Sequence, residues 1–582
     1  MNVPHRPDRA LLTLAASAVL LFAGPLRADI SGHVYVMGTD PPEPIAGATV
    51  HIRADGGASN AITAADGSFT ITDDPLLPVD IAASIPYSRS AAVNYVMGGI
   101  NTFNGALNAD IFLEVLPTGD VPGHVPASAD NCGSCHESVF PQWQGSNHAG
   151  TARNEWVMDL YSGDGTPGGG AGYVFRDTHA AGETGFCSAC HAPMAEVLAP
   201  GTTYLDEVTE QGALEGVNCV TCHQMDSVNE ANLNALHLLG KATYRFPAGK
   251  FSPDSYVWGP LNDVTFDGMR PSHSTLHKSS LLCASCHQYN RPDNGVAGQH
   301  TYTEWLASSF AVPGPGYRTC QDCHMPPSTA PGALCVFVPE DRPGEQRRRH
   351  IFIGSTPDML QDNLALTASA VEIAPGRIRV DASVNNFGAG HNFPTGISIR
   401  NAMLVLTATW NGQPLAQVAG PTIPFWGSDD VAGDQPGDLA GQAGKGFAKV
   451  LEGRIDGAGP TVRPVLFIDA EAVQTNTTIP SGGTDNTSVE FQLPPGTPPG
   501  AIVQIEARLL YRRAFRALQV TKGWTQSAHG GPIEIEVANR QLQVVSQGAQ
   551  GTLEVPALGR AGLLVLALAL AAAGIATVAR RR

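Results

Sequence analysis

The chain has 582 residues, too many for one hydrophobic core, so several domains are expected. Apolar residues make up 43% and charged residues only 15%, which excludes a disordered chain, because there is ample apolar surface to bury. The net charge of −18, more negative still once the two basic termini are set aside, excludes nucleic-acid binding and favours basic partners.

Residues 1–28 read as a secretory signal. Arg6 and Arg9 give a basic start, Ala10 to Gly24 an apolar run too short to span a membrane, and Leu26-Arg27-Ala28 a small-residue cleavage site. Cleavage is expected after Ala28, so the mature chain is exported, to the periplasm or cell surface. Residues 29–117 read as short strands. Gly32-His33-Val34-Tyr35-Val36 alternates, Pro44 to Ile52 reads as a turn and a strand, and Asp66-Gly67 is a turn feeding Ser68-Phe69-Thr70-Ile71. This order resembles the carboxypeptidase regulatory-like domain, which implies a small structural β-sandwich. His33 and His51 fall in strand patterns and are read as ordinary strand residues.

Residues 118–355 hold all eleven cysteines, little periodicity and many Gly and Pro residues. Ten of the cysteines repeat one pattern: Cys132-Gly-Ser-Cys135-His136, Cys187-Ser-Ala-Cys190-His191, Cys219-Val-Thr-Cys222-His223, Cys283-Ala-Ser-Cys286-His287 and Cys320-Gln-Asp-Cys323-His324. This is the attachment pattern for c-type haem. Two thiols with two residues between them can form thioethers to the vinyl groups of one haem, and the next His lies under the ring as proximal iron ligand. Zinc ribbons and structural disulfides also use paired cysteines, but neither requires a His after every second Cys. Five covalent haems are therefore expected, supplying core that this Gly/Pro-rich segment lacks. Cys335 is left over, a thiol without an assigned role.

A haem that only transfers electrons has both axial positions filled, whereas a catalytic one leaves one open. Spare histidines are His124, His148, His179, His237, His273, His277, His300, His350 and His391. Residues 356–550 return to strand alternation, as in Ile378 to Val384, Val489 to Leu493 and Ile533 to Val537, and read as a second β-sandwich. Residues 555–582 form a membrane-anchoring segment, with an uncharged run from Ala561 to Ala579 closed by Arg580-Arg581-Arg582. Pro556-Ala557-Leu558 ahead of that run resembles bacterial C-terminal sorting signals, which implies an anchor that is processed at the envelope; a permanent single span is the alternative.

Several further motifs point to one family. They are Trp143-Gln-Gly-Ser146-Asn-His148-Ala149, Ser272-His273 to His277, Thr303-Glu304-Trp305, Met325-Pro326 after the fifth motif, His350-Ile-Phe352-Ile-Gly354 and Gly390-His391-Asn392-Phe393-Pro394-Thr395-Gly396. Over roughly residues 125–400 these resemble the multihaem c-type cytochromes related to hydroxylamine oxidoreductase and the tetrahaem cytochromes of ammonia oxidisers. The resemblance implies distal histidines from distant positions and haems stacked in close pairs. It makes His148 the first distal candidate, then His350 and His277, then His179 and His273. The His391 loop either dips into the haem domain or belongs to the β-sandwich. His237 and His300 are expected to be solvated or hydrogen-bonded, and His124 lies in a linker. Met194 and Met325 follow their proximal histidines too closely to reach over the same ring.

The expected architecture is multidomain: a β-sandwich, a loop-rich mainly α multihaem domain, a second β-sandwich and a C-terminal hydrophobic helix. The expected function is electron transfer between redox partner proteins. The alternative is an oxidoreductase acting on a small nitrogen or sulfur species at one five-coordinate haem. Nitrite reductases of this broad group carry a Cys-x-x-Cys-Lys motif, absent here, and the hydroxylamine-oxidising enzymes carry more than five motifs and a crosslinking tyrosine.

Overall fold

The computed structural model describes residues 27–549, except residues 56, 106–107, 266–267, 339 and 428–436. The export signal, apart from Arg27 and Ala28, and the 555–582 segment therefore lie outside the described residues. Among the described residues no helix is long and apolar enough to cross a membrane.

The first unit is built from two sheets around one core. Ile30–Val36 sits between the antiparallel Ser68–Ile71 and the parallel Ile111–Leu113. The other sheet orders Asn60–Ile62, Thr49–Ile52, Val79–Ser84 and Gly98–Phe103. Alternation along Ile30–Val36 turns Ile30, Val34 and Val36 inward, where they meet Val50, Ile81, Ile111 and Leu113. The Asp66 carboxylate accepts from the Ser68 backbone N–H at 3.0 Å, closing the turn into its strand.

Charged contacts hold this unit to the central segment. Arg53 reaches Glu340 at 2.9 Å, and Arg89 and the Tyr87 hydroxyl both meet the buried Asp226, at 3.0 and 2.6 Å. Asp263 accepts both from the Arg342 guanidinium at 2.8 Å and from the Ala54 backbone at 3.0 Å. These carboxylates are largely desolvated, so each is matched by charge-assisted donors.

The central segment is a succession of short helices and loops. It is not without a core of its own: Met158, Tyr161, Phe175, Met194, Leu205, Val220, Leu238 and Tyr244 pack together. The expectation that haem alone would supply its interior is corrected to that extent.

The C-terminal unit has two antiparallel sheets. One orders Leu364–Ala374, Arg377–Asn386, Thr484–Gln492 and Ala416–Ala419; the other has Asn401–Trp410 between Gly444–Glu452 and Ile502–Arg512, with Ala472–Asn476 and Glu534–Val545 outside. Strict period-2 burial along Arg377–Asn386 turns Ile378, Val380, Ala382 and Val384 into a core shared with Leu404, Phe447, Ile505 and Leu509 of the opposite sheet.

The two units are locked together at Lys522, whose ammonium is fully buried. It donates to the carbonyls of Asp159 at 2.8 Å, Gly169 at 2.5 Å and Tyr173 at 2.6 Å. Beside it the Trp524 indole N–H donates to Asp159 at 2.6 Å, and the Trp524 ring stacks on Trp156 at 4.1 Å. The glycine run at 163–172 has its reason here. A Cβ on Gly169 would lie 1.7 Å from the Asp159 carboxylate, and one on Gly165 would lie 1.9 Å from the Glu155 carbonyl.

Candidate haem-binding site

Each Cys-x-x-Cys-His motif lies on or against a short helix: Ala129–Gly133, Ser188–His191, Cys219–His223, Leu281–His287 and Cys320–His324. A helical turn places residues three apart on one face, which brings both thiols of a motif to one side. Local sequence starts these helices. Ser128 and Asn218 cap the first and third through their side chains. Thr319 and Asp322 form a reciprocal capping box around the fifth, and Asp322 is itself inside the motif. Arg348 pairs with the same Asp322 at 2.7 Å.

All fifteen motif cysteines and histidines line one continuous cavity of about 1790 Å³ with mostly apolar walls. Motifs distant in sequence touch within it. The thiols of Cys132 and Cys219 lie close enough to influence each other's ionisation, as do those of Cys190 and Cys286, and of Cys283 and Cys320. In space the first motif therefore adjoins the third, and the fourth adjoins both the second and the fifth.

Three motif histidines have one ring nitrogen fixed by a backbone carbonyl. His136 Nδ1 is 2.8 Å from the Leu334 oxygen, His223 Nδ1 2.8 Å from that of Trp258, and His324 Nδ1 2.5 Å from that of Ile353. Donation from Nδ1 fixes the tautomer and leaves the Nε2 lone pair directed elsewhere, the usual support for a metal-binding imidazole. His287 Nδ1 meets the Gln299 side-chain amide at 3.2 Å, whereas the buried His191 Nδ1 has no partner.

Other histidines enter the cavity from far away in sequence. The rings of His148 and His287 are 6.4 Å apart, those of His350 and His223 6.4 Å, and those of His391 and His324 6.4 Å. His350 and His391 each have Nδ1 engaged by a backbone carbonyl, of Arg348 at 3.0 Å and Asn392 at 2.9 Å. His277 is turned the opposite way. Its Nε2 is 2.8 Å from the Cys222 oxygen, its Nδ1 is buried without a partner, and its ring stacks on His223 at 5.5 Å. Burial lowers the pKa of His148 and His277 to about 3, and of His191, His287, His350 and His391 to about 4. These imidazoles are neutral at pH 7, the form that binds a metal.

The remaining candidates stand apart. His179 does not line the cavity; its Nε2 meets Asp469 at 3.0 Å and its Nδ1 meets the Phe175 carbonyl at 3.3 Å, so both nitrogens are used. His273 is buried on a strand beside Trp258 and also lies off the cavity. His237 pairs with Glu196, His300 with Asn290 and His124 with Asp254. Cys335 lines the cavity close to the first motif, since its neighbour Val336 donates to the Cys135 carbonyl at 2.9 Å.

The loop at 388–396 has both of the alternatives open to it. Its frame belongs to the C-terminal unit, where Asn386 donates to the His391 carbonyl at 2.8 Å and Asn392 to Thr478 at 3.0 Å. Its tip reaches the cavity, and Glu304 of the central segment accepts from Thr395 at 2.5 Å and from the Asn392 backbone at 3.3 Å. Sequence reading missed Arg400, Arg513 and His529, which also line the cavity from the C-terminal unit. No motif marks them; only the strand pairing brings them there.

The donor set suits covalent haem. The thiols are paired at motif spacing, a supported imidazole stands beside each of three pairs, and the cavity between them is apolar and opens past buried ring nitrogens that lack partners. No curated protein matches the chain. Among solved structures it is similar to a penta-heme cytochrome c552 from Thermochromatium tepidum, at 22% identity and a TM-score of 0.48, over 73% of this chain and 100% of that one. Residues 131–224 match the family of cytochrome c554 and c-prime. The matched segment spans the first three motifs, whose paired cysteines and following histidine are the residues that hold covalently bound c-type haem.

Proposed function

We propose that the protein is an exported electron-transfer cytochrome carrying five c-type haems, one on each motif. The carrying observation is the convergence of all five motifs on one apolar cavity, with three imidazole pairs set at one ring separation. Two imidazoles bound to opposite sides of one metal at about 2 Å, each with about 1.2 Å from nitrogen to ring centre, stand about 6.4 Å apart. That supports His148 opposite His287, His350 opposite His223 and His391 opposite His324. His277, which offers Nδ1 rather than Nε2, lines the same cavity and is a further distal candidate.

Bound haem supplies a reversible one-electron couple at its iron. The protein's own residues do the rest. The paired thiols fix position and orientation, and the carbonyls of Leu334, Trp258 and Ile353 hold ring orientation. Apolar walls exclude water, which keeps geometry constant between oxidation states. The flanking β-units and the 555–582 segment would present this relay to redox partner proteins at the envelope, the latter as a membrane anchor.

One observation favours the enzymatic alternative at one position. Among the described residues neither His136 nor His191 has a histidine ring set against it, and of the two only His191 has an unsupported Nδ1. An open iron there would make the second motif a site for a small nitrogen or sulfur species. An electron paramagnetic resonance spectrum of the oxidised protein tests both readings. A relay gives low-spin signals throughout. A stoichiometric high-spin signal that shifts on adding nitrite or hydroxylamine supports the enzyme. An intact mass corresponding to fewer than four haems would overturn the cofactor assignment.

A further inference from the structure

Arg400 and Arg513 leave neighbouring strands side by side. The ladder between Asn401–Trp410 and Ile502–Arg512 pairs Asn401 with Arg512, so the next residues outward are Arg400 and Arg513. Both line the cavity. Arg513 is held by its Nη2 on the Ser355 carbonyl at 2.6 Å and its Nε on the Pro532 carbonyl at 3.3 Å. Arg400 makes one long contact, Nη1 to the Thr395 carbonyl at 3.4 Å. Among the described residues neither pairs with a carboxylate. Of the four carboxylates on the cavity wall, Asp322 is taken by Arg348, Asp254 by His124, and Glu340 by Arg53 and Arg342, while Glu345 sits in the turn at Gly344–Gln346 and is ion-paired with neither Arg400 nor Arg513.

Two guanidiniums brought together in an apolar wall repel one another and lose hydration. Burial and the neighbouring Arg400 charge hold Arg513 below the usual arginine range, and the Arg400 charge also reaches His287 and His391. An anion held between the two would offset that repulsion. The guanidinium fork matches planar two-oxygen anions, and the Ser355 and Tyr511 hydroxyls, 3.1 Å apart on the same wall, add donors.

We propose that Arg400 and Arg513 form a binding site for a carboxylate-like oxyanion, at the seam of the central and C-terminal units beside the fourth and fifth motifs. The chemistry has two sources, a haem propionate or a free small anion such as nitrite. The first rests on the haem reading above; the second does not.

The test uses full-length holoprotein, wild type against Arg400→Gln, Arg513→Gln and Arg513→Lys, with intact mass and the visible spectrum as controls on haem content and folding. Arg400 makes only one weak contact, so its variant keeps the test open should Arg513→Gln fail to fold. If a propionate is held, potentiometric titration shows one haem harder to reduce in the Gln variants, by about tenfold in its reduction equilibrium, because an unpaired carboxylate favours the ferric state. Arg513→Lys recovers most of that change. If a free anion is held, calorimetry with sodium nitrite or sodium acetate gives saturable binding to wild type that Arg400→Gln weakens at least about tenfold. Loss of haem in the mass spectrum would sink the cofactor reading alone, since the calorimetric arm still reads the arginine pair. Unchanged midpoints together with absent or unaltered anion binding overturn the site.

Discussion

Replacing Lys522 with Met tests what holds the C-terminal unit to the central segment. The methionine keeps the apolar stem and removes the ammonium. Three backbone carbonyls, of Asp159, Gly169 and Tyr173, then lose their donor at a position with no solvent exposure. Each charge-assisted bond contributes about 1.5–3 kcal/mol net, and the three share one geometry, so the loss is less than their sum. We expect about 3–5 kcal/mol, the range for removing one side of a buried ionic arrangement. Urea unfolding followed by far-ultraviolet circular dichroism should show a midpoint lowered by about 1–2 M. Lys445→Met is the comparison, because Lys445 pairs with Asp485 in a partly exposed position and its loss should cost below about 1 kcal/mol. A Lys522→Met loss as small as that of Lys445→Met would refute the reasoning, since it would mean that the three carbonyls find water.

Gly169→Ala should destabilise by about 1–3 kcal/mol because its Cβ would meet the Asp159 carboxylate at 1.7 Å, whereas Gly170→Ala, whose nearest contact is at 4.0 Å, should be close to neutral in the same assay. Burial works against the charged form of His179, but Asp469 outweighs it and raises its pKa above 6.5. That pair therefore stabilises fully below pH 6.5 and less as pH rises through the raised folded value, so the melting temperature should fall from about pH 6 to about pH 9, with a smaller fall in His179→Asn. His391→Ala should convert one haem to high spin while circular dichroism of the β-units is unchanged; an unaltered spin state would remove His391 from the ligand set.

What the sequence made legible follows the range of each interaction. The motifs are readable because one covalent reaction dictates their spacing, and the strand from Arg377 to Asn386 is readable because one face is dry. The Thr319–Asp322 capping box is local too. The partners of the motif histidines are not local. His148 meets His287 and His391 meets His324 only after chain folding, so the family resemblance suggested them and spacing alone could not. It ranked His179 beside them, yet that ring is turned to Asp469, a residue of the C-terminal unit. Arg400 and Arg513 carried no signal, because a strand register sets their approach. The apolar cluster around Tyr161 and Phe175 was hidden by a glycine-rich stretch whose small residues serve close packing around Asp159.

The cross-pairing of motifs also bears on how such a chain matures. A polypeptide emerging from its N-terminus presents Cys132, Cys135 and their own His136 first, and the next histidine after these is His148. In the finished molecule that ring stands against His287, which is made much later, while the first motif ends beside the third. On the haem reading proposed above, a haem attached early would first find His148 nearby, a ring that ends beside another motif. The loop bearing His391 comes before most strands of the C-terminal unit, and Arg513 follows only after Ile502–Arg512. On that reading the lining of the cavity is complete only once the C-terminal unit, which brings His391, Arg400 and Arg513, has folded onto it.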